Sequence, residues 1–169
     1  MKTIEPISIH MIDDDEMFLR ALQQHLQRAL KESIKIKWFL TGEEFLKNLP
    51  TEKPDIIILD HILNSRLPYA MDGRFVLQKI RQADPEIPVI MLSGQNKIET
   101  ALESIKDGAY DYVVKNDNAF MKIQTIIRNA VKNTLVSQKK QLFKHWATMI
   151  VSLLFIVSLA IIVMKTFFP

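Results

Sequence analysis

Residues 53–73 are KPDIIILDHILNSRLPYAMDG. Ile56 to Leu59 are four consecutive apolar residues, too short a run for a helix and suited to a strand covered on both faces. That strand runs straight into a carboxylate, Asp60, and the chain then continues through residues 61–72 before its next glycine, Gly73. A strand buried on both sides needs helices on both sides, and the neighbouring segments supply them.

Upstream, Ile7 to Ile12 reads as a second buried strand followed by Asp13, Asp14 and Asp15. Phe18, Leu19, Leu22, Leu26, Ala29 and Leu30 recur at helical spacing. Ile34, Ile36 and Trp38 alternate with Lys35 and Lys37, the two-residue period of a strand with one wet face. Thr41 and Glu44 form a capping-box pattern for a short helix that Pro50 ends. Downstream, a helix is expected from Gly73 to Ala83, a strand over Val89 to Leu92 closed by Ser93 and Gly94, and a helix over Ile98 to Asp107 stopped at Gly108. Tyr112 to Val114 then form a last strand ended by Lys115, and a fifth helix carries Phe120, Ile123, Ile126, Ile127, Ala130 and Val131. Strand and helix alternate five times. The fold class is α/β, a doubly wound five-stranded parallel sheet.

Charge divides the chain. Residues 115–169 hold eight lysines and arginines against Asp117 alone, whereas residues 1–114 hold 14 bases and 18 acids. An acidic body is thus joined to a basic tail. The absence of cysteine excludes disulfides and thiol chemistry. No signal-peptide pattern stands at the N-terminus. Trp146 to Met164, WATMIVSLLFIVSLAIIVM, carries no charge, glycine or proline. As a helix it would extend about 28 Å, near the hydrocarbon thickness of a bilayer. Lys139, Lys140 and Lys144 precede it, so the positive-inside rule keeps the bulk of the protein on the cytoplasmic side. The expected organisation is a folded domain over 1–135, a basic juxtamembrane segment over 136–145 and a transmembrane helix over 146–165, placed in the inner (cytoplasmic) membrane. Without a glycine or proline from Asn116 to Phe168, the fifth helix is free to continue into the span.

The polar residues converge on one edge. Asp13 and Asp14, Asp60, Ser93 and Lys115 each close a strand, and open parallel sheets place their ligands at that edge. Three neighbouring carboxylates repel unless a cation neutralises them. Mg²⁺ with retained waters fits a shallow, exposed carboxylate cluster. With an ammonium and a hydroxyl beside it, the set suits an aspartate that attacks phosphorus as a nucleophile. Each residue also has a plainer reading: Asp13 to Asp15 or Ser93 as helix caps, Lys115 as a solvated strand end, Tyr112 as a core aromatic, and His61 as an ordinary loop histidine.

IHMIDDD, PDIIILD, VIMLSG and YDYVVK together resemble the receiver domain of bacterial two-component response regulators, over residues 4 to about 135. The resemblance implies a flavodoxin-like receiver in which Asp60 accepts the phosphoryl group. Asp13 and Asp14 would hold Mg²⁺, Asp14 directly, with Asp60 and the backbone carbonyl of Ile62 completing the protein ligands. Ser93 and Lys115 would grip the phosphoryl group, and Tyr112 would turn inward when Ser93 moves. A sensor histidine kinase or phosphotransfer protein would be the donor and a downstream protein the target. The chemistry is self-phosphotransfer and self-dephosphorylation rather than enzymatic turnover of a separate substrate. Ile62 stands where the family usually has a polar residue that positions water, which implies a long-lived aspartyl phosphate.

Two positions depart from the family. Asn116 follows the lysine where a proline in a cis bond is usual, and the stretch from Asp60 to Gly73 is about five residues longer than the family's spacing. These departures keep a second reading open, a membrane-tethered pseudo-receiver that phosphate does not switch. A third, a haloacid-dehalogenase-type phosphohydrolase, would use Asp13 as nucleophile but leaves Asp60 without a role. No residues remain after the fifth helix for a DNA-binding output domain, so no nucleic acid is expected, and the lysines before the span face lipid headgroups instead. Pairing of anchored copies as a homodimer is compatible with the tail.

Overall fold

Alternation within the strands sends neighbouring residues to opposite faces of a sheet, and in the computed structural model both faces of the central strands are buried while the edge strand over 34–39 stays partly exposed. The structure describes residues 6–30, 34–63, 70–94 and 98–132, with 146, 149, 150 and 152. The chain divides into two units, Met1–Arg128 and Asn129–Pro169.

In the first unit the strands are β1 (Ile7–Ile12), β2 (Ile34–Phe39), β3 (Ile56–Asp60), β4 (Val89–Ser93) and β5 (Asp111–Val114). They form one five-stranded sheet in the order β2-β1-β3-β4-β5, with every pairing parallel. Helices α1 (Glu16–Ala29), α2 (Gly42–Asn48), α3 (Gly73–Ala83) and α4 (Ile98–Lys106) connect successive strands, and α5 covers residues 119–132. This is the doubly wound sheet expected from the alternation. Asp60 and Ser93 are the last residues of their strands rather than the first residues beyond them.

One face buries Ile57, Leu59, Val89, Met91 and Tyr112 with Phe45 of α2 and Val76, Leu77 and Ile80 of α3. The alternate strand residues, Ile9, Met11, Ile56, Ile58, Ile90, Leu92 and Val113, are equally buried. Alternation turns them to the other face. Leu19, Leu22 and Leu26 of α1 and Ile123 and Ile127 of α5 are buried as well, and Phe18 meets Phe120 at a 5.3 Å centroid distance where α1 and α5 adjoin. His10 lies in the first face, wholly buried against Phe39 and Phe45 with neither ring nitrogen hydrogen-bonded. Burial lowers its pKa, which keeps the ring neutral.

Local chemistry sets the element ends. Asp15 caps α1, accepting from the amides of Met17 and Phe18 at 3.0 and 3.1 Å. Thr41 caps α2 through the Glu44 amide, and Asp72 caps α3 through that of Phe75. Gly108 ends the turn after α4 at φ 96°, a conformation that only glycine adopts freely. The peptide between Lys115 and Asn116 is trans.

In the second unit, residues 129–132 complete α5, and Trp146, Met149, Ile150 and Ser152 are helical and exposed. No helix among the described residues is long and apolar enough to cross a membrane. The span expected over 146–165 lies outside the described residues apart from those four, as does its continuity with α5.

Candidate functional site

The carboxyl edge of the sheet gathers the charges. Asp13 leaves β1 with its amide bonded to the Phe39 carbonyl at 3.2 Å and its Oδ1 accepting from the Asp15 amide at 3.0 Å. The three successive aspartates thereby divide their work: Asp15 caps the helix, and Asp13 and Asp14 are left to the edge. Asp60 arrives at the end of β3, its place fixed by pairing with Leu92 of β4. One oxygen from each of Asp13, Asp14 and Asp60 falls within 4.8 Å of the others. All three residues are buried, so the shallow, exposed cluster expected from sequence is in fact an enclosed one.

Lys115 closes the set from β5. Its amide bonds to the Ser93 carbonyl at 2.8 Å, which ties the lysine to the end of β4. Its ammonium stands 2.7 Å from Asp13 Oδ2 and 2.8 Å from Asp60 Oδ2. The contact to Asp60 is a hydrogen bond. That to Asp13 is an ion pair, and apart from this ammonium Asp13 Oδ2 is buried away from other polar partners. The same ammonium lies over the ring of Phe18, 4.8 Å from its centroid.

These contacts do not balance the charge. Burial, and then the negative charge of Asp60, push the Asp13 carboxyl up to about 6 despite Lys115. Burial also raises the Asp60 pKa, against the pull of Lys115 and the amide of Ile62. Burial works against the Lys115 ammonium, yet Asp13 and Asp60 outweigh it and its pKa stands above the ordinary lysine value. Three buried carboxylates beside a single ammonium form an oxygen-only donor set that fits a small hard divalent cation.

The other expected residues fall around this set. Ser93 is buried at the end of β4. Ile62 is exposed beside the site, with its N–H toward the Asp60 carboxylate. Tyr112 is 7% exposed and packs within the core, while Tyr110 nearby is exposed. His61 contributes its backbone, donating to the Leu92 carbonyl and accepting from the Gly73 amide at 2.8 and 3.0 Å. Residues 64–69 of the enlarged loop lie outside the described residues.

Two features were not read from the sequence. Phe18 was assigned to the apolar face of α1, and nothing in helical spacing marks a ring that meets an ammonium. Gly73 opens α3 so close to the end of β3 that a Cβ there would stand 1.9 Å from the Asp60 carbonyl oxygen. Its signal was present: a glycine in the first turn of a helix is a poor helix former that needs a reason.

A flavodoxin-like sheet with buried aspartates and a lysine at its carboxyl edge defines the class of phosphoreceiver folds. Residues 9–145 match the response regulator receiver domain family, and the chain belongs to it. The C4-dicarboxylate transport transcriptional regulatory protein DctD of Rhizobium meliloti (strain 1021) is 33% identical over 135 residues, 80% of this chain and 28% of DctD. This chain therefore spans under a third of that relative. Among solved structures, the receiver domain of Francisella response regulator 1452 superimposes with a TM-score of 0.65 at 25% identity, covering 77% of this chain and 99% of that one. The receiver domain of NtrX from Brucella abortus gives 0.64 at 26% identity, covering 73% and 98%.

Proposed function

We propose that the chain is a membrane-anchored phosphoreceiver in which Asp60 takes a phosphoryl group from a phosphohistidine of a sensor kinase or phosphotransfer protein. The observation that carries this reading is the ammonium of Lys115 held between Asp13 and Asp60, 2.7 and 2.8 Å away, within a buried carboxylate cluster. An Asp60 oxygen attacks phosphorus while the phosphorus–nitrogen bond breaks, and the electron pair leaves with the imidazole, which takes up a proton. Lys115 offsets charge on the phosphoryl oxygens, and the Ser93 hydroxyl donates to one of them. Asp13, Asp14, Asp60 and the Ile62 carbonyl would hold Mg²⁺, which when bound supplies further positive charge at the phosphoryl group. Tyr112, buried on β5 beside β4, is the residue that reports movement of Ser93. Ile62 at the rim has no polar group to order a hydrolytic water, and Ile62→Asn is expected to shorten the lifetime of the phosphate.

The same reading places the receiver over 1–135, a basic segment over 136–145 and a transmembrane helix over 146–165. The receiver then faces the cytoplasm from the inner membrane and signals by protein contacts. The length and apolarity of Trp146 to Met164 support the anchor. The chain acts on itself and turns over no separate substrate.

The test is the intact mass of the detergent-solubilised chain after incubation with acetyl phosphate and Mg²⁺, beside Asp60→Asn. The expected result is a labile gain of one phosphoryl group that needs both the cation and Asp60. No gain in a folded chain that binds Mg²⁺ would favour the pseudo-receiver.

A further inference from the structure

Lys115 must hold its ammonium at the site from a loop that has no proline after it. The loop is built from Asn116 instead. The Asn116 amide donates to the Val114 carbonyl at 2.9 Å, its Oδ1 accepts from the Asn118 amide at 3.0 Å, and its carbonyl accepts from the Ala119 amide at 2.9 Å. These bonds fix the lysine's backbone. The side chain still has four rotatable bonds, and an ammonium on such a stem is a mobile point charge.

A second constraint acts at the ammonium end. The ring of Phe18 lies under Lys115 Nζ at 4.8 Å, inside the range at which an aromatic face attracts a cation. The ring is itself held on two sides. Its backbone amide is bound by Asp15 Oδ1 at 3.1 Å, and the Asp15 amide is bound by Asp13 Oδ1 at 3.0 Å. Phe120 of α5 packs against the ring at 5.3 Å and 73°, in edge-to-face fashion. Phe120 in turn meets His25, whose Nε2 is 3.0 Å from Gln124 Oε1. The carboxylate that draws the ammonium in thus also anchors, through Asp15, the residue whose ring lies beneath it.

We infer that Phe18 is a positioning residue for the phosphoryl transfer, its ring holding the Lys115 ammonium in line with Asp60. The inference rests on the receiver chemistry proposed above. A ring neither donates nor accepts a proton here, so it confines the charge without neutralising it and leaves the ammonium available to phosphoryl oxygens.

The test uses the full chain in detergent with isotope-labelled lysine, comparing wild type, Phe18→Leu and Phe18→Tyr. Without any phosphodonor, the Lys115 side-chain methylene protons should show a ring-current displacement in wild type and Phe18→Tyr that Phe18→Leu lacks. With acetyl phosphate and Mg²⁺, Phe18→Leu should phosphorylate about fivefold more slowly and Phe18→Tyr within about twofold of wild type. A Phe18→Leu chain that matches wild type in rate overturns the inference. So does a Phe18→Tyr chain as slow as Phe18→Leu, since that would mark loss of packing. A wild-type chain that takes up no phosphoryl group overturns the receiver chemistry, and the ring-current displacement still decides whether the ring holds the lysine.

Discussion

The protein carries two small charge clusters of opposite make-up. On the β2 side, Glu52 is shared by Lys35 and Lys37 at 2.8 and 2.9 Å. At the carboxyl edge, Lys115 is shared by Asp13 and Asp60 at 2.7 and 2.8 Å. The distances agree to about 0.1 Å and the outcomes do not. Hydrogen bonds from Lys35 and Lys37 hold Glu52 down at about 2, so the solvent-facing cluster is satisfied as it stands. Burial and Asp60 push Asp13 up to about 6, so the buried cluster is short of positive charge. The first cluster faces solvent, and the second is an enclosed set of carboxylates that could hold a cation. Pairing distance alone therefore says little about what a charge cluster is for; the direction of the pKa shift separates the complete from the incomplete.

The largest effect should come from disturbing the backbone that supports the buried cluster. A Cβ at Gly73 meets the Asp60 carbonyl oxygen at 1.9 Å and its carbon at 2.8 Å, and backbone cannot rotate away as a side chain can. Gly73→Ala should cost about 3 kcal/mol of stability and displace Asp60, checked by denaturant unfolding. Next, Asp13→Asn should stabilise the metal-free chain at pH 8 by about 1–3 kcal/mol while weakening cation binding. The sign follows from the shift. Asp13 titrates about 6 in the folded chain against 3.8 in its ordinary state, so the folded form holds the extra proton between those values. Its contribution to stability is present below pH 4 and is lost as pH rises through 6. The variant and wild type should converge in acid, and a variant less stable at pH 8 would refute the excess of negative charge.

A smaller effect is expected on affinity. Below pH 6 a cation must displace the Asp13 proton, so Mg²⁺ affinity should fall about tenfold per pH unit there and be flat above; calorimetric titration reads this directly. The smallest effect belongs to the surface cluster. Glu52→Gln should lower stability slightly at low ionic strength, and the difference should vanish in high salt. A salt-insensitive loss there would break the contrast between the two clusters.

How much of this was legible varies with the physics involved. The sheet was, because Ile56 to Leu59 and Val89 to Leu92 are apolar on both faces, and only a parallel sheet between helices buries such strands. The residues at the edge were legible because they follow those strands. Their burial was not. A run such as IDDD looks exposed in sequence, and only the pairing of β1 with β2 and β3 encloses Asp13. Nor did helical spacing reveal the ring of Phe18 beneath Lys115, because that contact joins α1 to the end of β5 through three dimensions. The cap role of Asp15 was half legible: the sequence offered three aspartates for it, and hydrogen-bond geometry chose one.

The most direct measurement is to trap the acyl phosphate. Borohydride reduces an aspartyl phosphate to homoserine, and peptide mass analysis of the phosphorylated, reduced chain then locates the residue. Homoserine at position 60, dependent on Mg²⁺ and absent from Asp60→Asn, is the predicted result. Homoserine at position 13 would contradict the account, and would make the residue read here as a metal ligand the nucleophile of a phosphohydrolase.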